Sequence, residues 1–362
     1  MKIYSGILPA ALVCAACHPS AGGGVSHEPA LAAPEPVVAG GPAPQLHVRG
    51  NRLVDSAGDT IRLRGANRPG TELMCARGHG IFDGPSDPSS VRAIAAWKAN
   101  AVRVPLNEAC WLGIDGVDPR YASLLYRQAI ASYVATLNSY GIVAILSLQL
   151  AAPGSTLPRQ PTPMPNRDHT VELWRQVAAA FRGNKAVLFE LFSEPYPDDN
   201  QDTPEAWRCW REGGRCAGLA YEAVGMQELV TTVRSAGAAN VILLGGVQHS
   251  ASLSRWQANM PVDPFGNLAA AWHVYDRGTC SARACWDRTA LPVSQYLPLI
   301  VTELGENDRG NAFVSSLIDW LDAVQGGYLA SGWSVRRSRH DLIANYDGTP
   351  TPYGNTIRLR LR

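Results

Sequence analysis

A chain of 362 residues, 46% hydrophobic and 17% charged, has the composition of a globular protein with one large domain or two ordinary ones. Its formal net charge of +1 argues against nucleic acid as the main partner, because binding phosphates needs a basic face.

The N-terminus has the features of an export signal. Residues 1–17, MKIYSGILPAALVCAAC, contain a lysine, a short apolar run and then small residues. This pattern is too short for a membrane span and is typical of a secretory signal peptide. The stretch from Cys14 to Cys17 resembles a bacterial lipoprotein box with Cys17 as the lipidation site, although Cys14 stands where leucine is usual, so ordinary cleavage is the alternative. The sequence therefore predicts an exported bacterial protein that is secreted, periplasmic or lipid-anchored at the outer membrane.

The next segment, residues 18–45, is rich in Gly, Pro and Ala and cannot form a hydrophobic core. This composition predicts a flexible tether, which a lipid-anchored protein needs to clear the membrane surface. Regular patterning begins at residue 46, so we expect a single domain over residues 46–362.

Six cysteines lie beyond the signal sequence, and an even number in an exported chain favours disulfides. Two pairs each close a short local loop, and the third pair follows by elimination. A zinc site is the alternative, but no CxxC or HxxxH spacing supports it. We therefore expect the pairs Cys75–Cys110, Cys209–Cys216 and Cys280–Cys285.

The predicted β-structure begins with a small hairpin. LHVRGNRLVDSAGDTIRLRG alternates around turn signals, as a hairpin that leads into a strand does. Short apolar runs then alternate with helical stretches along the rest of the chain. The eight strand candidates are IRLRGA, AVRVPL, IVAILSL, AVLFEL, VILLGG, LAAAWHV, LIVTEL and YLASGW.

The segments between the strands carry a helical period. Residues 126–137 and 313–324 both place apolar side chains at i, i+4, i+7, i+8 and i+11. Helical crossovers between apolar strands imply parallel strands buried on both faces. Eight β/α units in about 300 residues match a closed (β/α)8 TIM barrel. An open doubly wound sheet is the alternative, but its GxGxxG or GxxxxGK[ST] phosphate loop is missing after the first strand.

Candidate site residues lie at the C-terminal ends of the strands, where a (β/α)8 barrel carries its functional groups. Any one of them alone is most simply a satisfied side chain at a barrel mouth. In chain order they are Asn67, Arg103 (within the second strand), Gln149, Ser193, Glu194, His273, Tyr275, Glu303 and Trp333.

Glu194 and Glu303 end the fourth and seventh strands and are predicted to face each other across the barrel mouth. Two carboxylates suit glycoside hydrolysis, in which one protonates the leaving oxygen and the other attacks the anomeric carbon. Burying two unpaired carboxylates is energetically unfavourable, so the pair favours catalysis. A gap of ~5 Å between them gives retention of configuration, and a wider gap gives inversion.

From about residue 46 to its end the chain resembles glycoside hydrolase family 5, the cellulase-like family of retaining (β/α)8 enzymes. The framing segments GNRLVDSAGDTIRLRGAN and NYDGTPTPYG are similar to those of the family. The motifs that carry the resemblance are Ser193-Glu194-Pro195, His273-Val274-Tyr275, LIVTELGE with Glu303, Trp333 in the eighth strand and Arg103 in the second.

The resemblance implies a retaining β-glycoside hydrolase that acts by double displacement, without cofactor or metal. The implied substrate is a β-linked polysaccharide or oligosaccharide of the β-glucan or mannan type. Glu303 is expected to be the nucleophile and Glu194 the acid/base. Supporting roles are implied for Arg103 and Tyr275, which would keep Glu303 ionised, for His273, which would hydrogen-bond near Glu194, and for Trp333, as a floor under the sugar.

Two positions depart from the family pattern. Ser193 replaces an asparagine whose amide contacts the sugar 2-hydroxyl, and Gln149 replaces a histidine that many members carry. The shorter serine reaches that hydroxyl only through a water, which lowers the rate. A catalytically weakened or inactive carbohydrate-binding surface lipoprotein is therefore the alternative function. The tryptophans near the loops are either sugar platforms or loop packing, namely Trp111, Trp207, Trp210, Trp256 and Trp286.

Overall fold

A closed barrel of eight parallel strands forms the centre of the computed structural model, which describes residues 41–308 and 310–361. The predicted signal sequence, Cys17 and most of the predicted tether lie outside these residues. Around the barrel the strands follow the order β3-β4-β5-β6-β9-β10-β11-β12, and β12 pairs with β3. The predicted (β/α)8 fold is confirmed, and each of the eight strand candidates supplies one barrel strand.

The barrel strands are short, and two small antiparallel pairs accompany them. The strands are β1 (His47–Arg49), β2 (Arg52–Val54), β3 (Arg64–Asn67), β4 (Ala101–Asn107), β5 (Val143–Leu150), β6 (Val187–Glu190), β7 (Gly213–Gly214), β8 (Ala223–Val224), β9 (Ile242–Gly245), β10 (Leu268–Tyr275), β11 (Leu299–Gly305) and β12 (Gly327–Ala330). The predicted hairpin is the β1–β2 pair. Its turn contains Gly50 at φ 59°, a left-handed conformation that glycine adopts without strain.

Helices cover the outside of the barrel between successive strands. They are α1 (Pro88–Ala96), α2 (Glu108–Leu112), α3 (Ser123–Ser139), α4 (Thr170–Phe181), α5 (Pro197–Asn200), α6 (Pro204–Glu212), α7 (Met226–Ser235), α8 (Arg283–Cys285), α9 (Leu291–Tyr296), α10 (Ala312–Val324) and α11 (Pro352–Arg360). The buried face of α3 consists of the five apolar residues whose spacing predicted the helix. Among the described residues, no helix is long and apolar enough to cross a membrane.

The hairpin closes the N-terminal end of the barrel. Leu46 and Leu53 pack into one buried cluster with residues from the first halves of the strands, such as Val143 and Leu188. Packing against the domain begins before residue 46, where the sequence predicted the domain to start. Ala43 is already buried, and its N–H donates to the carbonyl of Asn138 at 2.9 Å. Since this end is filled, the opposite, C-terminal end of the barrel remains for a site.

Three disulfides fix the loops. They are the predicted pairs Cys75–Cys110, Cys209–Cys216 and Cys280–Cys285. The first joins the segment after β3 to α2, and so links two loops at the C-terminal end of the barrel. The zinc alternative is wrong for these six residues.

Removing the first disulfide should destabilise the protein more than removing the second. Cys75 and Cys110 are 35 residues apart, whereas Cys209 and Cys216 are 7 apart. Because a longer closed loop restricts the unfolded chain more, alanine at both ends should lower the free energy of unfolding by roughly 3–4 kcal/mol for the first pair and about 2 kcal/mol for the second. Denaturant titration measures both values. The reverse order would contradict this account.

Candidate active site

Arg103 is the centre of the polar network at the C-terminal end of the barrel. It lies within β4 and is only 1% exposed. Its Nε donates to Glu190 on β6, its Nη1 donates to Glu303 on β11 at 2.7 Å, and its Nη2 donates to Ser147 on β5 at 2.8 Å. Burial opposes the charge, but Glu190 and Glu303 outweigh it and raise the pKa of Arg103. Arg103 therefore remains a fixed cation.

Glu303 is held from two sides. Besides the bond from Arg103, its Oε2 accepts a hydrogen bond from the Tyr275 hydroxyl at 2.8 Å. The Tyr275 oxygen also lies 2.9 Å from the Ser331 hydroxyl. Burial and the charge of Glu303 raise the pKa of Tyr275 well above its usual value, so the phenol keeps its proton and donates it. Both donors fix the position of the carboxylate. The predicted contacts of Arg103 and Tyr275 with Glu303 are thus present.

Glu194 lies four residues beyond the end of β6 and contacts two histidines. Nδ1 of His273 is 3.0 Å from Oε1 of Glu194, and Nδ1 of His249 is 3.6 Å from Oε2. His273 is buried, as expected for a residue inside β10, whereas the side chain of His249 is 42% exposed and stacks on Tyr196. The predicted His273 contact is therefore present, and His249, which follows the fifth barrel strand and to which the family resemblance gave no role, adds a second imidazole.

The two carboxylates are close together. One oxygen of Glu194, one oxygen of Glu303 and a nitrogen of His273 all lie within 4.8 Å of one another. This short separation suits direct attack on a sugar by one carboxylate and proton donation by the other, as in retaining enzymes.

Glu190 is the principal buried residue that the sequence analysis missed. It is 0% exposed at the end of β6 and accepts hydrogen bonds from Arg103 and, at 2.6 Å, from the Thr302 hydroxyl. Burial opposes its ionisation, but the charges of Arg103 and His273 and the hydrogen bonds to Glu190 together outweigh burial and lower the pKa of Glu190. A charged residue in the apolar run VLFEL needs a buried partner. The arginine in AVRVPL was the available signal.

Asn67 supports the network from β3. Its Oδ1 accepts from Arg103 at 3.0 Å, and its Nδ2 donates to the backbone carbonyl of Thr302 at 2.9 Å. Both ends of the amide are therefore engaged by the protein. Asn67 acts as a positioning residue for Arg103.

Trp333 does not form the predicted floor under the sugar. Its side chain is 1% exposed and packs edge-on against Trp97, with ring centroids 4.8 Å apart. Trp97 itself follows α1 in the helical layer. Because β12 ends at Ala330, three residues earlier, Trp333 lies outside the alternating pattern of the strand and points into the packing around the barrel.

Ser193 and Gln149 both bond to Arg103. The Ser193 hydroxyl accepts from Nη2 at 2.6 Å and is 1% exposed, so it is part of the buried network. Oε1 of Gln149 accepts from the same nitrogen at 3.3 Å, and Gln149 is only partly buried and lines the cleft. With its oxygen engaged, Gln149 has its amide N–H groups left to donate. Gln149 is therefore better placed than Ser193 to contact a ligand.

Replacing Gln149 by alanine should lower kcat/KM for a glycoside by about 10- to 100-fold, because one hydrogen-bond donor to the substrate is lost. The Arg103–Glu303 bond does not depend on Gln149, so the free energy of unfolding should change little. Steady-state kinetics and denaturant titration measure the two effects. A large loss of stability with unchanged kcat/KM would assign Gln149 to the scaffold alone.

The tryptophans near the loops are packing residues. All five candidates are at most 2% exposed, so of the two alternatives, sugar platforms or loop packing, the structure supports loop packing. Their indole N–H groups are satisfied inside the fold: Trp210 donates to the carbonyl of Gly245 at 2.8 Å, and Trp256 donates to that of Leu244 at 2.9 Å.

A (β/α)8 barrel whose mouth holds two carboxylates at this spacing has the architecture of a retaining glycoside hydrolase. The model of the Cellulase family (glycosyl hydrolase family 5) matches residues 54–337. The chain therefore belongs to glycosyl hydrolase family 5 and is a retaining β-glycoside hydrolase. The predicted family and the predicted class of enzyme are both confirmed.

Solved structures share this fold at low sequence identity. A β-glucanase from Saccharophagus degradans in complex with cellotetraose is 18% identical, with a TM-score of 0.67 over 88% of this chain and 93% of that one. A β-mannanase from Thermomonospora fusca in complex with mannotriose is 18% identical, with a TM-score of 0.60 over 86% and 93%. A triple mutant of an endo-β-1,4-glucanase from Xanthomonas axonopodis pv. citri is 18% identical, with a TM-score of 0.63 over 83% and 99%. These likenesses concern the fold, and they do not favour the alternative of a binding scaffold without turnover.

Proposed function

We propose that the chain cleaves a β-linked polysaccharide or oligosaccharide of the β-glucan or mannan type, with Glu303 as the nucleophile and Glu194 as the acid/base. The observation that carries this proposal is the approach of their carboxylates to within 4.8 Å at the mouth of the barrel. Direct attack by one carboxylate requires such a short separation.

The first step forms a glycosyl-enzyme. Glu303, held by Arg103 and Tyr275, attacks the anomeric carbon while Glu194 gives its proton to the leaving oxygen. In the second step Glu194 removes a proton from water, which attacks the same carbon and releases Glu303. The sugar therefore keeps its anomeric configuration.

The charge balance of the network suits an oxocarbenium-like transition state. Three carboxylates, those of Glu190, Glu194 and Glu303, surround one fixed cation, Arg103. A single arginine leaves an excess of negative charge, which a proton on the Glu194–His273 pair reduces only in part. Positive charge that develops on the sugar is consequently stabilised where it appears.

The type of substrate is supported by the family and by the ligands of similar structures. The Saccharophagus enzyme holds cellotetraose and the Thermomonospora enzyme holds mannotriose. Both are β-linked hexose chains. We propose the same general backbone for the substrate of this enzyme.

We further propose that the protein is exported, with residues 1–17 as its signal, residues 18–45 as a tether and Cys17 as a lipid attachment site. Three disulfides support an oxidising compartment. Mass spectrometry of the mature N-terminus tests the proposal, since a diacylglyceryl group on Cys17 adds a defined mass. An unmodified N-terminus elsewhere would contradict lipid anchoring.

Proton NMR of the products tests the proposed reaction. Purified protein is incubated with cello- and manno-oligosaccharides, and the first anomer released is expected to be β. Release of the α anomer would contradict double displacement. Binding of these glycans without any turnover would instead support the weakened, binding-only alternative.

A further inference from the structure

A pocket of about 330 Å³ opens beside Glu303 at the mouth of the barrel. Asn67, Arg103 and Gln149 line its inner wall, and Glu194 is not part of its lining. In the proposed reaction the leaving group departs past Glu194. The pocket on the side of Glu303 is therefore the place for the sugar units that precede the cleaved bond.

Two exposed arginines form the outer wall of this pocket. They are Arg77, in the segment after β3, and Arg159, in the segment after β5. Nε of Arg159 donates to the carbonyl of Ala76 at 3.3 Å, which places its guanidinium beside the backbone of Arg77. The Cys75–Cys110 disulfide fixes the same turn. Within residues 41–308 and 310–361, neither arginine has an acidic partner within 4.0 Å.

The acidic groups near these arginines are already compensated. Asp83 is bonded by Arg68 and, at 2.6 Å, by Arg336. Glu72, which lines the pocket, accepts the N–H of Gly70 at 2.6 Å and lies 3.7 Å from Arg336. Burial raises the pKa of Glu72. The outer wall of the pocket thus carries a net positive charge.

The pocket also lacks the flat rings that suit a neutral sugar. Each of the ten tryptophans of the chain is at most 4% exposed, and none lines the pocket. The pocket is lined instead by arginines, carboxylates and amides with some proline and leucine, and contains no aromatic ring. Stacking on an indole cannot therefore supply the affinity here, whereas charge-assisted hydrogen bonds to guanidinium groups can.

We propose that this pocket binds a carboxylate-bearing sugar, so that the substrate is a β-linked glycan with hexuronate units on the side of Glu303. Arg77 and Arg159 would each offer a guanidinium fork, whose geometry matches a carboxylate. This inference rests on the proposed function, because the proposed roles of Glu303 and Glu194 define which side of the cleaved glycosidic bond the pocket binds. It narrows the substrate class from β-glucan or mannan type to a charged glycan of that backbone.

Calorimetric binding to the inactive Glu303→Gln variant tests the inference. The probes are β-1,4-linked tetraglucuronate and tetramannuronate, their neutral counterparts cellotetraose and mannotetraose, and 6-O-sulfated cellotetraose. At low salt at least one uronate should bind about tenfold or more tightly than its neutral counterpart. Adding Arg77→Gln and Arg159→Gln together should remove this preference. Arg208→Gln together with Arg215→Gln, which removes the same number of exposed charges outside the pocket, should preserve it.

Three results would overturn the inference: equal or tighter binding of the neutral glycans, a uronate preference that survives in the double arginine variant, or tighter binding of the sulfated glycan than of the uronates. The binding test is separate from the test of the proposed function. A wild-type enzyme that cleaves neutral glycosides but shows no uronate preference in the Glu303→Gln background overturns this inference alone. A uronate preference without any turnover supports the pocket assignment and contradicts the proposed function.

Discussion

Glu303→Gln should reduce kcat/KM for a β-linked substrate by about 10⁴-fold or more, because the amide cannot attack the anomeric carbon. The change is nearly isosteric. Arg103 still has its bond to Glu190, so its charge is not left without a partner. The free energy of unfolding should therefore fall far less than it would if the arginine were left unpaired. Initial rates on an aryl β-glycoside measure the catalytic effect.

An added nucleophile identifies the role of Glu303. In a Glu303→Ala variant, azide should enter the vacated space and restore turnover of an activated aryl β-glycoside, with the α-glycosyl azide as the product. The control is Glu205→Gln, which removes an exposed carboxylate on α6 and should leave kcat/KM unchanged. Activity of Glu303→Gln within tenfold of the wild type would show that another group is the nucleophile.

The positions of the two glutamates were predictable because they depend on local patterns. Apolar runs of strand length alternate with helices, so the fold and its C-terminal edge follow from periodicity. Glu303 lies within β11, four residues after Leu299, and Glu194 follows β6 closely. Once the barrel closes, residues at the ends of the fourth and seventh strands meet whatever the details of packing.

The surroundings of the glutamates were less predictable because they depend on tertiary packing. The sequence assigned Trp333 to the cleft, but the chain leaves β12 early and turns this ring towards Trp97. His249 reaches Glu194 only because the segment after β9 adopts a left-handed backbone, with φ of 55° at His249 itself. No periodicity signals such a conformation in a residue other than glycine.

The basic wall of the pocket beside Glu303 also depends on tertiary packing and was not predictable from the sequence. Arg77 and Arg159 are 82 residues apart, and neither lies in a strand or helix. Their proximity results from the hydrogen bond of Arg159 to Ala76 and from a disulfide whose pairing was predicted by elimination alone. The near-zero net charge of the chain does not indicate this basic wall, because acidic residues elsewhere in the chain balance its charge.

The acid/base role of Glu194 predicts an effect that depends on the leaving group. Glu194→Ala should lower kcat/KM by about 10²- to 10⁴-fold for an oligosaccharide, whose leaving alkoxide needs a proton. A 2,4-dinitrophenyl glycoside needs no protonation, so its first step should be affected far less. Azide should then give the β-glycosyl azide, the opposite anomer to that expected from Glu303→Ala. Equal losses with both substrates would contradict the assignment.

The expected pH dependence of the wild-type enzyme and of Glu194→Ala follows from the two histidines beside Glu194. Burial opposes ionisation of Glu194, but the two histidines beside it, His249 and His273, together outweigh burial and lower the pKa of Glu194. Burial alone would lower the pKa of His273, yet the charge of Glu303 and the bond to Glu194 raise it. In the free enzyme the proton of the pair is therefore mainly on His273, and the pair titrates as one unit.

This proton must reach Glu194 before the leaving group departs, so kcat/KM should fall as the pH rises through the raised pKa of His273. The basic limb of the wild-type profile is accordingly expected above about 6.5, the ordinary value for histidine. In Glu194→Ala, assayed with the dinitrophenyl glycoside, no proton is required for the first step, and the basic limb should disappear. If the limb persists unchanged in this variant, the titrating proton belongs to another group, and the Glu194–His273 pair is not the proton donor.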